Sequence, residues 1–377
     1  MSTSGRPQDT TASSRVRALH EKGVSVWLDD LSRALLESGT LAGYISEHAL
    51  SGVTSNPAIF AHALRSDERY RDRLARLVDK GLREPHALFF ALALADVHDA
   101  AQVLRDTYEQ TGGRDGYVSF ECTPDVAGDA SATVRQAQHV WERVDAPNLM
   151  IKVPATGAGI EAIEELTAEG INVNVTLLFT GDRYEQTARA YQRGIERRAR
   201  TGAPVARVRS VASVFVSRLD AIVAQRLGDD PTRGSVAIAN ARAIHRRARA
   251  IFDEPHWSEM RARGASWQRP LWASTAPKTL GLRDVGYVEA LALSDTIVTV
   301  PERTLLAFAD HGVPRLADGD GEEHSAAIAE LSRAGHDLEA IGAELAAVGL
   351  RAFSNAYAEI IAYITGYSMS RTRGEAA

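Results

Sequence analysis

Apolar runs separated by more polar segments recur along the chain and predict β-strands. The runs are rich in Val, Ile and Leu, which is typical of strands that are buried on both faces of a parallel sheet. The predicted strands are, in chain order, Ser25–Asp30, Gly52–Pro57, Tyr117–Glu121, Leu149–Val153, Ile171–Phe179, Arg209–Val216, Pro270–Ser274 and Asp295–Val300. Helical periodicity in the intervals predicts helices at Val16–Glu21, Leu31–Glu37, Tyr44–His48, Asp67–Lys80, Pro85–Glu109, Ser131–Val144, Arg183–Arg200, Arg218–Arg226, Ser235–Phe252 and Pro301–Asp310.

The alternation of strands and helices predicts an α/β fold with a parallel sheet. Eight such strands close naturally into a (β/α)8 TIM barrel. A doubly wound open sheet is the competing architecture. It is disfavoured because no Gly-x-Gly-x-x-Gly motif follows any predicted strand.

The two ends of the chain differ from this repeating pattern. Residues 1–14 are polar and rich in Ser and Thr, so we expect a disordered tail before a single barrel domain at 15–377. Within that domain, residues 311–377 form a helical extension that packs on either the mouth or the base of the barrel. Its predicted helices are Ser325–Arg333, Leu338–Ala347 and Ala352–Ile364. The acidic segment Asp318–Glu323 lacks the ligand spacing of a calcium loop, so no metal site is expected.

Composition narrows the possible partners and the compartment. The chain is 45% hydrophobic and 24% charged, with a net charge of −6. This acidic balance argues against nucleic acids and membrane surfaces as partners, because both are usually negative. The single cysteine, Cys122, cannot form an internal disulfide, and the sequence shows neither a signal peptide nor a membrane span. We therefore expect a cytoplasmic monomer or homodimer.

A lysine inside one of the apolar strands is the strongest sign of chemistry. Lys152 interrupts the run Leu149–Val153, and the local sequence offers it no counter-charge. Burial disfavours the charged form of an amine, and an uncharged lysine attacks carbonyl groups to form a Schiff base. The alternative is a lysine at a strand end whose ammonium reaches water.

Other polar residues stand at the carboxyl ends of the predicted strands. In a TIM barrel these ends converge on one mouth, where the active site lies. The residues concerned are Asp29, Thr54, Asn56, Glu121, Lys152, Asn174, Thr176, Ser213 and Arg218. Their regular placement favours a shared site over scattered loop residues.

The carboxylates and polar side chains suit the proton transfers that Schiff-base chemistry needs. Asp29 and Glu121 are candidate acid/base groups. For Asp29 the alternative is a helix cap, and for Glu121 it is an ordinary strand-end carboxylate. Asn174 and Thr176 alternate with valines and therefore face the barrel interior, where hydrogen bonds within the core are the alternative role. Asn56 precedes a proline and can equally belong to a turn.

Basic residues near two strand ends suit a phosphate group. Arg218 stands beside the start of a helix, where the guanidinium fork and the helix N-terminus both favour an anion, although a surface arginine is the alternative. Lys278, after the seventh strand, adds a second positive charge. Cys122 is interpreted as a packing residue, because no His lies in a motif that would activate it.

Several of these segments together resemble the transaldolase family. They are Gly52–Pro57, Leu149–Thr156, Asn172–Phe179 and the spacing Ser213-x-Phe215-x-x-Arg218, while Val26–Arg33 resembles the longer bacterial form of the family. The likeness extends from about Val16 to the C-terminus. It implies transfer of a dihydroxyacetone unit from a ketose phosphate, such as sedoheptulose 7-phosphate or fructose 6-phosphate, to an aldose phosphate in the pentose phosphate pathway, without a cofactor.

The resemblance also implies a role for each candidate residue. It makes Lys152 the Schiff-base residue and Asp29 the acid/base, with Glu121 and Thr176 holding the catalytic water. It places Thr54, Asn56 and Asn174 on the hydroxyls of the dihydroxyacetone unit. It places Ser213 and Arg218 at the phosphate, and Phe215 as a lining residue of the site.

Two segments depart from the family pattern and leave the acceptor open. They are Glu121–Pro124, where the family often has Glu-Val-Asp-Pro, and Ser274–Lys278, where it often has Ser-Thr-Gly-Val-Lys. Neither departure removes a catalytic group, so a paralogue serving a different acceptor is one alternative. The others are an aldolase that releases free dihydroxyacetone and a non-catalytic sugar-phosphate-binding protein.

Overall fold

Eight parallel strands form a closed barrel in the part of the chain that the computed structural model describes, residues 12–228, 235–278, 281–317 and 322–373. Each strand pairs with the next, and the last pairs with the first, which confirms the predicted (β/α)8 TIM barrel. The strands are β1 (Ser25–Leu28), β2 (Gly52–Thr54), β3 (Tyr117–Glu121), β4 (Leu149–Pro154), β5 (Val173–Leu178), β6 (Ser210–Phe215), β7 (Arg269–Ala273) and β8 (Ile297–Val300). Every residue of these strands is buried, as their apolar sequences predict.

Helices cover the outside of the barrel and continue beyond β8. They are α1 (Ala12–Glu21), α2 (Arg33–Glu37), α3 (Thr40–His48), α4 (Pro57–Ser66), α5 (Glu68–Asp79), α6 (Pro85–Val103), α7 (Arg105–Gln110), α8 (Ala130–Val144), α9 (Gly157–Glu169), α10 (Gly181–Arg200), α11 (Ser217–Leu227), α12 (Val236–Asp253), α13 (Ser258–Ala262), α14 (Gly286–Ala290), α15 (Glu302–His311), α16 (Glu322–Arg333) and α17 (Leu338–Thr372). Residues 12–14, which the sequence assigns to the tail, form the first turn of α1.

Two helices near the site are absent from the sequence-based prediction. Helix α4 begins at Pro57, where the predicted second strand was expected to end, because Asn56 caps it. Helix α9 opens with two glycines, which helix propensity disfavours, and Thr156 caps it by accepting a bond from the backbone N–H of Gly159 at 2.9 Å. The predicted helix Pro85–Glu109 is also divided in two, at Leu104.

The C-terminal helix α17 is continuous where the sequence predicts two helices. The predicted break surrounds Gly349, a residue that usually weakens a helix. A Cβ atom at Gly349 would lie 2.6 Å from Cδ2 of Leu177 at the end of β5. Glycine is therefore needed here for close packing on the barrel, and it does not end the helix.

Helix α17 crosses the mouth of the barrel. Near its start, Glu339 accepts a hydrogen bond of 2.6 Å from the hydroxyl of Thr180, which follows β5. Further along, the Tyr357 hydroxyl lies 2.8 Å from Nδ1 of His86 on α6, which precedes β3. The helix therefore runs from the β5 side to the β3 side over the carboxyl ends of the strands.

A buried arginine closes the opposite end of the barrel. Arg269 is 6% exposed and donates hydrogen bonds to Ser25 Oγ at 2.7 Å and to Asp115 Oδ1 at 3.3 Å. It also donates to the backbone carbonyl oxygens of Arg114, Asp295 and Thr296. Asp115 in turn accepts a bond of 2.8 Å from Ser25 Oγ. This network, at the amino ends of the strands, satisfies the buried charges with protein groups.

Two further sequence-based expectations concern loops and membranes. Four residues of the acidic segment at 318–323 lie outside the described residues, and the last two begin α16. Among the helices that are described, none combines the length and apolar character required to cross a bilayer.

Candidate active site

The side chains predicted as site residues stand on many elements around one mouth. Each of them lies in or just after a strand of the barrel. In chain order they are Asp29 after β1, Thr54 at the end of β2, Asn56 after β2, Glu121 at the end of β3, Lys152 in β4, Asn174 and Thr176 in β5, Ser213 and Phe215 in β6, Arg218 in the first turn of α11, and Lys278 after β7. Most of them are buried, whereas Asp29, Asn56 and Arg218 are partly buried and Lys278 is exposed. The structure therefore places the predicted residues at the carboxyl end of the barrel.

Lys152 is buried, and its amine has one hydrogen-bond acceptor and one ion-pair partner. The residue is 4% exposed, and its Nζ donates to the backbone carbonyl oxygen of Ser55 at 2.8 Å. The same Nζ lies 3.1 Å from Oε2 of Glu121, which pairs in register with Lys152 across β3 and β4. The counter-charge that the local sequence lacks thus comes from the neighbouring strand. The alternative of an ammonium that reaches water is wrong.

Asp29 lies at the mouth and is bound by Thr54. The Thr54 hydroxyl donates to Asp29 Oδ1 at 2.9 Å. The capping role considered for Asp29 belongs to Ser32, whose Oγ accepts a bond from the backbone N–H of Leu35 at 3.3 Å. Asp29 is therefore not needed to start helix α2, and its carboxylate faces the site.

Asn174 is the centre of a hydrogen-bonded chain inside the barrel. Its Nδ2 donates to Ser119 Oγ at 3.0 Å, and its Oδ1 accepts from Ser213 Oγ at 2.7 Å. In the described part of the chain, Ser213 makes no hydrogen bond with Arg218. Ser119 was missed in the sequence, although it stands two positions before Glu121 and strand alternation turns both residues to the same face.

Thr176 carries a buried hydroxyl with an unfilled hydrogen-bonding capacity. Its Oγ1 has no hydrogen-bond partner among the described residues, a rare situation that points to a ligand or water. The next residue, Leu177, has a φ of +52° and lies in a bulge between β5 and β6. A left-handed conformation in a residue other than glycine costs about 1–3 kcal/mol and is concentrated at functional sites.

Asn56 combines a helix-capping role with a position in a cavity. Its Oδ1 accepts bonds from the backbone N–H groups of Ala58 and Ile59 at 3.0 and 3.1 Å, so the oxygen caps helix α4 and does not belong to an isolated turn. Its Nδ2 makes no hydrogen bond within the described ranges. The cavity has a volume of about 580 Å³, and its lining includes Asp29, Asn56, Arg218 and, from helix α17, Ala352 and Phe353.

Arg218 is a cation without an anion in the described structure. Its guanidinium carbon lies 5.4 Å from the centre of the Phe215 ring, which in turn lies 5.5 Å from the ring of Phe179. No hydrogen bond or ion pair joins Arg218 to any residue that the structure describes. A partly buried guanidinium of this kind is well suited to a phosphate.

The charges at the mouth influence one another. Burial raises the pKa of Glu121; the Lys152 ammonium opposes this shift and Asp29 adds to it. Burial lowers the pKa of Arg218, against the attraction of Asp29 and Glu121. Desolvation, together with the charge of Arg218, lowers the pKa of Lys278. The site therefore combines a carboxylate that accepts a proton readily with two cations that favour an added anion.

The two segments that depart from the family pattern, Glu121–Pro124 and Ser274–Lys278, contain residues that are hydrogen-bonded to neighbouring elements. Cys122 is buried as a free thiol, and its backbone N–H donates to the Lys152 carbonyl oxygen at 3.1 Å. Thr123 is bound on both its backbone N–H and its hydroxyl by the Gln136 side chain, at 2.8 and 2.6 Å. After β7, Thr275, which agrees with the family pattern, donates from its hydroxyl to the Thr299 carbonyl oxygen at 2.6 Å, and Ala276 and Pro277 are the residues that differ. These hydrogen bonds hold the strand ends in place.

Comparisons with known proteins agree with this geometry. The family model described as Transaldolase/Fructose-6-phosphate aldolase matches residues 26–364. A protein of Thiobacillus denitrificans named Transaldolase is 43% identical over 350 residues, which are 91% of this chain and 97% of that protein. One of Saccharopolyspora erythraea with the same name is 42% identical over 363 residues, 93% of this chain and 97% of that one. The Transaldolase 1 of Streptomyces coelicolor is 41% identical over 364 residues, covering 94% and 95%. The chain belongs to the transaldolase/fructose-6-phosphate aldolase family.

Proposed function

We propose that the protein is a transaldolase, which transfers a dihydroxyacetone unit from a ketose phosphate to an aldose phosphate through a Schiff base on Lys152. The proposed donors are sedoheptulose 7-phosphate and fructose 6-phosphate of the pentose phosphate pathway, and the reaction requires no cofactor. The observation that carries the proposal is the Lys152 amine, which lies 3.1 Å from Glu121 inside the barrel mouth. Family membership and the names of the relatives support it.

Lys152 begins the reaction as the nucleophile. An ammonium is inert, so a proton must leave Nζ before attack, and Glu121 is the nearest described carboxylate. Burial raises the pKa of Glu121 and so favours its protonation. The free amine adds to the ketone carbon, C2, and a proton moves from the nitrogen to the new alkoxide to give a carbinolamine. Glu121 then gives the proton that it took from Lys152 to the carbinolamine hydroxyl, which leaves as water, and an iminium ion remains. We propose that Thr176 and Glu121 hold this water.

Asp29 manages the proton during carbon–carbon cleavage. It takes the proton from the hydroxyl on C4 while the C3–C4 bond breaks and its electron pair moves into the iminium ion. An aldose phosphate leaves, and an enamine stays on Lys152. The enamine then attacks the aldehyde carbon of the acceptor, Asp29 returns the proton to the new alkoxide, and hydrolysis frees the product ketose. The bond from Thr54 at 2.9 Å holds the Asp29 carboxylate in position.

The remaining polar residues bind the two ends of the substrate. We assign Asn174 and the Nδ2 group of Asn56 to the hydroxyls of the dihydroxyacetone unit. Because the Ser213 hydroxyl donates to Asn174 at 2.7 Å, we assign it to the positioning of that amide. Arg218 and Lys278 receive the phosphate, and the charge of each acts on the other.

Phe215 supports a transferase over a lyase. The family resemblance implies that an aromatic hydroxyl at this position favours release of free dihydroxyacetone. Phe215 lacks a hydroxyl, and its ring packs between Phe179 and the Arg218 guanidinium. A non-catalytic sugar-phosphate-binding protein would have no use for a buried amine paired with a carboxylate.

The wider setting follows from the sequence. We propose a single barrel domain over 15–377, with 311–377 as its C-terminal extension, acting as a monomer or homodimer. The free, buried Cys122 fits a reducing compartment, and we propose the cytoplasm.

A panel of donors and acceptors with product mass analysis tests the proposed activity. Fructose 6-phosphate is supplied with and without erythrose 4-phosphate. A transaldolase forms sedoheptulose 7-phosphate only when the acceptor is present, and it releases no free dihydroxyacetone. Steady release of dihydroxyacetone without an acceptor indicates the lyase instead. Product from neither mixture, with no product from other ketose phosphates, contradicts both activities.

A further inference from the structure

We propose that helix α17 limits the size of the sugar phosphate that the mouth accepts, with Ala352 and Phe353 as specificity-determining residues. The inference rests on the proposed function, because it concerns the substrate of the same site. Nothing in the sequence pattern places these two residues near the catalytic lysine, which lies some two hundred positions earlier in the chain.

One cavity at the mouth is lined both by residues of α17 and by residues of the proposed site. Its volume is about 580 Å³, and Asp29, Asn56 and Arg218 are among its lining residues. Ala352 and Phe353 of α17 line the same cavity. Lys152 does not line this cavity, but its Nζ donates to the carbonyl oxygen of Ser55, the residue before the lining residue Asn56.

The substrate is fixed at both ends, so the space between the ends matters. The ketone carbon must reach Lys152, and the phosphate must reach Arg218. A Cβ atom at Gly349 would lie 3.6 Å from a terminal nitrogen of Arg218, so α17 passes directly beside the phosphate-binding group. The carbon chain of the sugar therefore has to fit beneath this part of the helix.

Close packing holds α17 in a fixed position. A Cβ atom at Gly342 would overlap with Cγ2 of Thr180, and one at Gly349 would lie 2.6 Å from Cδ2 of Leu177. A helix in such contact with the barrel cannot move toward or away from the cavity without losing that packing. The side chains on α17 consequently decide how much of the cavity is free.

The helix also lines a second cavity. This cavity has a volume of about 290 Å³, and its lining residues include Ala347 of α17, Thr156 after β4 and Leu177 of β5. Neither Asp29 nor Arg218 lines it. Ala347 and Ala352 are both exposed alanines of one helix that face different cavities, so they form a matched pair.

The test compares Ala352→Trp with the control Ala347→Trp in borohydride trapping of the full-length protein. The probes are dihydroxyacetone, which has neither a phosphate nor a long chain, and fructose 6-phosphate. For Ala352→Trp we expect the trapping rate with fructose 6-phosphate to fall by about tenfold or more, while that with dihydroxyacetone changes by less than about twofold. Ala347→Trp should resemble the unaltered protein with both probes. Ala352→Leu should give an intermediate loss with fructose 6-phosphate, and retained trapping by dihydroxyacetone in both Ala352 variants excludes misfolding as the cause.

Other results overturn the inference. These are unchanged trapping by fructose 6-phosphate in Ala352→Trp, an equal loss with both probes in both Ala352 variants, or a larger loss in Ala347→Trp. Failure of both probes to trap the unaltered protein is a different result, because it removes the proposed Schiff base itself and the inference with it.

Discussion

The two ends of the barrel each bury a cation beside a carboxylate, yet they differ in how completely that cation is bound. At the base, Arg269 is paired with Asp115 and bound by further hydroxyl and carbonyl oxygens. At the mouth, the partners of Lys152 among the described residues are only Glu121 and one carbonyl oxygen. The mouth also holds the Thr176 hydroxyl, which has no partner among the described residues, whereas the Ser25 hydroxyl at the base is bound to Asp115.

The choice of cation matches this difference. Arginine remains charged at any pH that a protein tolerates, and its planar guanidinium can donate to several acceptors at once. It is therefore suited to a purely structural network. Lysine loses its proton much more readily and then becomes a nucleophile. The hydrogen-bonding groups of the base network are thus satisfied by the protein itself. At the mouth some groups lack a partner among the described residues, and we infer that substrate and water bind to them.

The largest contrast is expected when each cation is replaced by methionine. Lys152→Met should reduce transfer by at least about 10⁴-fold, because no other group replaces the Schiff base. Arg269→Met should lower the free energy of unfolding by about 3–5 kcal/mol, because Asp115 then stays buried without its partner, while the folded variant still turns over. Steady-state kinetics and urea unfolding of both variants measure this. Equal kinetic losses in the two would remove the distinction between the ends.

Asp29 should show the next largest effect. Asp29→Asn keeps the shape of the side chain but removes the proton acceptor, so we expect kcat to fall by about 10²–10⁴-fold. The neighbouring Asp30→Asn is the matched control and should change kcat by less than about tenfold. Initial rates with fructose 6-phosphate and erythrose 4-phosphate provide the comparison. Similar losses in both variants would reduce Asp29 to one charge among several at the mouth.

Glu121 should determine how the rate depends on pH. Burial raises the pKa of this carboxyl group, so it takes up a proton at a higher pH than an ordinary glutamate does. Once protonated, it cannot accept the proton of Lys152, and the rate should fall about tenfold for each pH unit below that pKa. In Glu121→Gln this acid limb should disappear and the plateau should drop by about 10²-fold. Asp115→Asn, at the base, should leave the shape of the profile unchanged; an acid limb that survives in Glu121→Gln belongs to another group.

The smallest effects should come from single hydroxyl groups at the two ends. Thr176→Val removes a hydroxyl without a described partner, so the free energy of unfolding should change by less than about 0.5 kcal/mol while kcat falls about tenfold. Ser25→Ala removes bonds to Asp115 and Arg269, so it should cost about 1–3 kcal/mol in stability and leave kcat unchanged. Chemical unfolding and initial rates separate the two outcomes. A Thr176→Val variant that is destabilised but fully active would show that the hydroxyl has a structural role.

The sequence predicted the barrel well because the relevant signals are local. Each strand is an apolar run, and alternation within β5 turns Asn174 and Thr176 to the same interior face. The same reasoning placed Glu121 and Lys152 at one mouth, because the carboxyl ends of barrel strands converge, but it did not predict their direct ion pair.

The features that the sequence did not reveal depend on long-range packing. Arg269 meets Ser25 across 244 positions, and no local pattern indicates that pair. In the sequence alone, Gly349 indicates the end of a helix. The structure shows that it is a glycine because the side chain of Leu177 packs against it. The direction of the Ser213 hydroxyl depends on whether Asn174 or a phosphate is closer, which spacing alone does not decide. The course of α17 over the mouth is likewise set by its contacts with the barrel.

Reductive trapping tests the central role of Lys152 most directly. The unaltered protein and Lys152→Met are treated with borohydride in the presence of fructose 6-phosphate, and the adduct is located by peptide mass mapping. We predict one covalent adduct on the peptide that contains Lys152, loss of activity in parallel with its formation, and no adduct in Lys152→Met. Turnover without any adduct, or an adduct on another lysine such as Lys278, would contradict the account.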